Sequence, residues 1–316
     1  MILNSAKREL LEAELLSAEG LAPKGRSLTG DAMRRLLRNK AAALSLIVLA
    51  ALVLVAIFGP YFLPFNYEDP DWNSFRGAPD FAAGHYFGTD GNGRDLLART
   101  LYGTRVSLTV ALVATLVSVV IGVLYGAVSG YFGGRVDAVI MRIADVQLSI
   151  PAILIALLIF GLTRSLLPPG ARDTVAVYVL ILAIGFSGWV SYARTVRGAV
   201  MVEKQREYVQ AALMMGLPTR TILTRHILPN VRRPILVIAT ISLALAIITE
   251  ATLSYLGAGL PATQPSLGTL IRSGQDFLFA GEWWILLFPA VTLLALALAI
   301  NVLGDWLRDA LNPRGI

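Results

Sequence analysis

The stretch AAALSLIVLAALVLVAIFGP, residues 41–60, decides the fold. It carries no charge over the roughly 20 predominantly apolar residues that a helix needs to cross a hydrocarbon core about 30 Å thick. Working outward, uncharged runs of similar length recur at Val106–Tyr131, Val146–Thr163, Thr174–Ala193 and Trp283–Gly304. A sixth, Pro234–Leu256, is interrupted by Glu250, close enough to one end for its carboxylate to reach the interface or a polar cavity. The pattern predicts an all-α integral membrane protein with six transmembrane helices.

Composition agrees. Of 316 residues, 56% are hydrophobic and only 15% charged, against about 25% in soluble domains. A water-soluble globule is excluded. There are no cysteines and two histidines, so disulfide and thiolate-metal chemistry are absent and no metal site is expected. The net charge of +6 does not mark a nucleic-acid binder, because most cations sit in short segments between apolar runs. The expected surroundings are a lipid bilayer.

That charge placement orients the chain. With a cytoplasmic amino terminus, the inside segments are 1–40, a short turn at 132–142, 194–233 and 305–316, and they hold 20 of the 27 lysines and arginines. The positive-inside rule then places both termini in the cytoplasm. The expected organisation is a cytoplasmic segment 1–40 and one membrane domain 41–316, with an external excursion 61–105 and an inside loop 194–233. Glu9, Glu12, Glu14 and Glu19 break up any signal-peptide core; residues 5–19 read as an amphipathic helix or a solvated tail. The aromatics between Tyr67 and Phe87 predict an ordered cap in the excursion. Within it, DGNGRD at Asp90–Asp95 reads as a turn entering a helix.

The inside loop shows two short helical patterns. Arg206–Leu213 runs into Met214, Met215 and Gly216, a glycine suited to a left-handed cap. Thr219–Ile227 follows Pro218 and is expected to stop before Pro229. In the spans, Gly122, Gly126 and Gly130 recur on one helical face and predict close packing. Pro151 predicts a kink in the third span, and Arg142 with Asp145 a local ion pair.

Catalytic constellations are missing. No lysine follows a glycine, so no Walker A loop exists, and G-x-S-x-G is absent. His85 falls outside and His226 inside by this topology. The chain reads as non-enzymatic. An ion-coupled secondary transporter would need carboxylates in several spans, where only Glu250 stands.

The segment YVQAALMMGLPTRTILTRHILPN, Tyr208–Asn230, resembles the EAA loop of ABC importer permeases. Ala211, Ala212, Gly216, Leu228 and Pro229 match at the family's spacing, while Gln210 replaces its glutamate and His226 its isoleucine. GHYFGTDGNGRDLLARTLYGTRVSL (Gly84–Leu108), DAVIMRIADVQLSIPAILIALL (Asp137–Leu158), SYLGAG (Ser254–Gly259) and GDWLRDALNPR (Gly304–Arg314) are similar to oligopeptide and dipeptide permease subunits. GRSL at Gly25–Leu28, RNKAAALSLIVL at Arg38–Leu49, and APD followed by GHYFGTD resemble the C-type subunit. The resemblance implies a bacterial inner-membrane importer of oligopeptides or dipeptides. Its partners would be a second homologous permease, two cytoplasmic ABC ATPases that carry the ATP and magnesium, and an external peptide-binding protein delivering peptide cargo. It makes Tyr208, Gln210, Ala211, Ala212, Gly216, His226, Leu228 and Pro229 the ATPase-coupling loop and Glu250 a candidate pathway or gate residue. Nickel chelates and antimicrobial peptides are the alternative cargoes in such machinery.

Overall fold

The computed structural model describes Leu36, residues 39–261 and residues 263–311. The chain divides into two units between Ala43 and Leu44. The amphipathic pattern at 5–19 and the GRSL motif lie outside the described residues.

Nine helices are named here: α1 Lys40–Phe58, α2 Leu96–Phe132, α3 Gly134–Leu148, α4 Ala152–Leu166, α5 Pro169–Glu203, α6 Glu207–Met214, α7 Thr219–Tyr255, α8 Leu267–Leu278 and α9 Trp284–Leu311. Among the described residues there is no β-strand, only three isolated backbone bridges. Local chemistry sets the ends. Asp95 caps α2 by accepting from the Ala98 N–H at 2.8 Å, and α5 opens on a proline that lacks the donor a first turn cannot use. Ser266 and Thr269 form a reciprocal capping box at α8.

Among the described residues, five helical stretches are long and apolar enough to cross a membrane: α1 with the turn after it, and α2, α5, α7 and α9. The third span expected from sequence is not one kinked helix. It is the pair α3 and α4, bent by 92°, and six crossings result only if the pair counts as one. Pro151 both withholds its N–H and drives the residue before it out of helical backbone, so the chain breaks at 149–151 instead of bending. The turn expected at 132–142 is also corrected. Only Gly133 and Gly134, at φ +66° and +53°, turn, and α3 starts at Gly134. Asp145 pairs with Arg194 on α5 at 2.5 Å, and not with Arg142 as expected.

Among the described helices, α2 and α5 make the most extensive contact. The glycine row is the cause. A Cβ on Gly122 would stand 2.4 Å from Tyr192 Cβ, on Gly126 2.5 Å from the Ala193 carbonyl, and on Gly130 2.7 Å from the Arg197 carbonyl. No side chain fits there, so the two backbones touch. A large apolar core joins α2, α4, α5, α7 and α9, and a smaller one lies where α2, α5 and α7 meet α6.

Candidate functional site

The loop between α5 and α7 is built as a rigid unit. Val209 and Ala212 form the buried side of α6 and pack with Ile222, Ile227 and Val231 of α7, Val196 and Val200 of α5, and Ala127 and Tyr131 of α2. α6 ends in a Schellman cap. Gly216 N–H donates to Leu213 O at 3.0 Å and Leu217 N–H to Ala212 O at 3.2 Å, with Gly216 at φ +73°. The left-handed glycine anticipated from sequence is there.

The second half differs from expectation. Thr219 starts a helix that does not stop before Pro229 but continues as α7 to Tyr255. It passes the proline through a π-type turn, Ile222–Ile227, in which Leu228 N–H reaches back to Leu223 O. A wider turn just ahead of Pro229 accommodates its ring and missing donor. The loop helix and the span are therefore one continuous rod, with Leu228 and Pro229 inside it.

Polar contacts brace the loop. Tyr208 donates to Glu203 and lies 3.3 Å from the His226 carbonyl, while Asn230 donates to the Tyr208 hydroxyl and to the His226 carbonyl, both at 2.8 Å. Burial, then the Glu203 contact, pushes the Tyr208 hydroxyl above its ordinary range, so it remains a donor. Gln210 donates to Lys204 O at 2.9 Å. His226 thus serves through its backbone, with its ring tilted against Tyr208. Sequence reasoning missed Lys204, whose ammonium donates to the Tyr131 carbonyl at 2.7 Å in the last turn of α2, where a cation also suits the helix dipole. It also missed Asp137, which Arg197 grips through two nitrogens and Ser129 reaches as well. The signal was available: a carboxylate in the first turn after a glycine break. What the braced loop presents outward is Gln210, Ala211 and two methionines, Met214 at 88% and Met215 at 71% exposure.

Glu250 does not reach an interface. It is fully buried, accepting from Ser107 of α2 at 2.6 Å and Ser254 of α7 at 2.8 Å. Leu267 N–H, at the start of α8, donates in turn to the Ser107 hydroxyl at 3.2 Å. Small residues allow this knot, since a Cβ on Gly268 would stand 2.4 Å from the Ala251 carbonyl. The carboxyl group ties three helices together at the open N–H end of α8.

The segment between α1 and α2 is an ordered cap. His85 is buried between Asp95 at 2.8 Å and Asp71 at 3.3 Å, and stacks on Phe65. The Asn73 N–H, then the Ser74 side chain and His85, hold the Asp71 carboxyl below the usual carboxylate range. Asp90 accepts from the backbone N–H groups of Asn92 and Arg94, which folds DGNGRD into the turn that enters α2. Phe87 stacks on Phe288 at 4.1 Å and Arg76 pairs with Glu282 at 3.3 Å, seating the cap on α9 and the turn before it. No cluster of three metal-ligating side chains occurs among the described residues.

Comparison with known proteins bears on this architecture. The family model "Binding-protein-dependent transport system inner membrane component" matches residues 118–315, and "N-terminal TM domain of oligopeptide transport permease C" matches residues 27–79. The chain is 38% identical to the oligopeptide transport system permease protein OppC of Haemophilus influenzae over 312 residues, covering 99% of this chain and 97% of that one. It is 40% identical to OppC of Escherichia coli K12 over 317 residues, 99% of each. Identity to the dipeptide transport system permease protein DppC of Bacillus subtilis is 39% over 288 residues, 91% of this chain and 86% of that one. Among solved structures, the inward-facing MetNI methionine ABC transporter shares the fold at a TM-score of 0.52 and 22% identity, covering 69% of this chain and 96% of that chain. With a family model over most of its length and relatives near 40% identical end to end, the chain belongs to the binding-protein-dependent transport system inner membrane components.

Proposed function

We propose that this chain is one membrane subunit of an ATP-driven importer of oligopeptides or dipeptides, coupling closure of partner ATPases to alternating access. The observation that carries it is the α5–α7 loop, a glycine-capped helix pair braced against three spans and continuous with one of them. A packed lever transmits displacement, whereas a floppy loop would absorb it. Met214 and Met215, adaptable apolar side chains, are the docking contacts for an ATPase groove. Gln210 keeps its donor on Lys204, so its function there is internal bracing in place of a charged contact.

The cargo reading is supported by the names of the relatives, oligopeptide and dipeptide permeases. A peptide brings buried amide and terminal charges that hydrocarbon rejects, so it needs a pathway between helices. The chain itself has no catalytic role. ATP and magnesium belong to two ATPase partners, a second permease completes the pathway, and an external binding protein delivers the peptide. Both termini face the cytoplasm, the cap faces outward, and Glu250 acts as a joint of the gate, making α2, α7 and α8 move together.

The test is affinity purification of the tagged chain from its native membrane, followed by reconstitution with the recovered partners. Recovery of a second permease and two ATPases, with hydrolysis stimulated by peptide and binding protein, is expected. A lone chain that transports without nucleotide would overturn the reading.

A further inference from the structure

A cavity of about 260 Å³ lies among the membrane helices, walled by α2, α5 and α7 and by the ends of α3 and α4 where that pair bends. Its lining holds no charged residue. It is instead rich in hydroxyls, chiefly Thr115 and Ser118 of α2, Ser191 and Tyr192 of α5, and Ser242 and Thr249 of α7. Two of these are buried without a hydrogen-bond partner, Tyr192 at 0% exposure and Thr115 at 9%. A buried hydroxyl left unpaired is destabilising, so a partner for it is favoured. Ser242 stands beside Tyr192 without forming a well-directed bond to it. Ser118 donates to the Gly185 carbonyl at 2.7 Å and Thr249 to the Leu245 carbonyl at 2.8 Å, which leaves their oxygens free to accept.

We infer that this cavity is a subsite for the uncharged backbone amides of a peptide in transit, with the Tyr192 and Thr115 hydroxyls as donors to its carbonyls. The chemistry selects this ligand. No fixed charge is present to hold an ion or a charged terminus. Hydroxyls both donate and accept, so they pair with N–H and C=O alike whatever side chain the peptide carries. The remaining wall is apolar, with Leu148, Ile184 and Leu245 beside the small Ala152, Gly188 and Ala246. The space is well above the ~10–15 Å³ that one water needs. Between transport events, waters occupy the site and a peptide displaces them. The bend between α3 and α4 forms part of its wall, so a change in that angle alters the cavity. This inference rests on the peptide-import reading.

The experiment uses the full complex with its binding protein in proteoliposomes and radiolabelled trialanine, reading peptide moved per ATP hydrolysed. Tyr192→Phe and Thr115→Val each delete one unpaired hydroxyl. Each is expected to lower that ratio about threefold or more, the worth of one hydrogen bond. The melting temperature of each variant is expected to hold or rise, because an unsatisfied buried group has gone. An unchanged ratio in both variants, with wild-type import intact, would mean that the cavity holds water only and would overturn the inference. A lowered melting temperature with an unchanged ratio would assign the hydroxyls to structure. If the wild-type complex moves no trialanine at all, the peptide reading itself falls, and this inference with it.

Discussion

Gly216 carries more of the proposed lever than its size suggests. At φ +73° it sits where side-chained residues are strained, yet a Cβ there would meet nothing within 4 Å, so the penalty for substitution is purely conformational. Gly216→Val is expected to cost about 1–3 kcal/mol locally and to loosen the loop. The chain should still reach the membrane, with uptake and peptide-stimulated ATP hydrolysis falling together; normal uptake would remove the cap from the coupling path. Glu250 makes the opposite argument, since its surroundings are crowded. Glu250→Leu strands the Ser107 and Ser254 hydroxyls in a buried site, at about 1–3 kcal/mol for each. Glu250→Gln still reaches both. Thermal melting in detergent should therefore fall clearly for leucine and less for glutamine, and equal losses would contradict the knot.

Among elements, the α2–α5 pair is the most constrained. Gly126→Ala places a methyl 2.5 Å from the Ala193 carbonyl, so the helices must separate, with an overpacking cost of about 1–3 kcal/mol. Gly198→Ala, on α5 but with nothing within 4 Å of its Cβ, is the control and should melt like the wild type. Similar melting for both would mean that the glycine row is not a contact. The glycine row was legible in sequence as a four-residue repeat, and the left-handed turn at Gly216 as glycine followed by proline. The right-angled break at Pro151 and the continuity of α7 past Pro229 were not. A proline's effect depends on what surrounds it, here a free break between two helices and there a π-type turn that absorbs the ring. Neither context is visible in the local residue pattern.

For the whole molecule, orientation is directly testable because the chain contains no cysteine. In the chain expressed without its partner ATPases, single cysteines at Met214 and Phe81, 88% and 78% exposed, should be labelled from opposite sides of a sealed membrane, Met214→Cys from the cytoplasm and Phe81→Cys from outside. Labelling of both from one side would refute the topology. Sequence by itself determined the solvent of this protein and its transport-family character. The hydrocarbon thickness sets the length of each apolar run, the bias of lysine and arginine sets the expected orientation, and the loop motif lies in consecutive residues. Only the tertiary structure decided what the isolated polar groups do. Ser107 meets Glu250 across 143 positions, Lys204 meets Tyr131 across 73, and the hydroxyls of three helices converge on one cavity. Which way each helix turns is set by packing against its neighbours, and no periodicity within a single apolar run specifies that rotation.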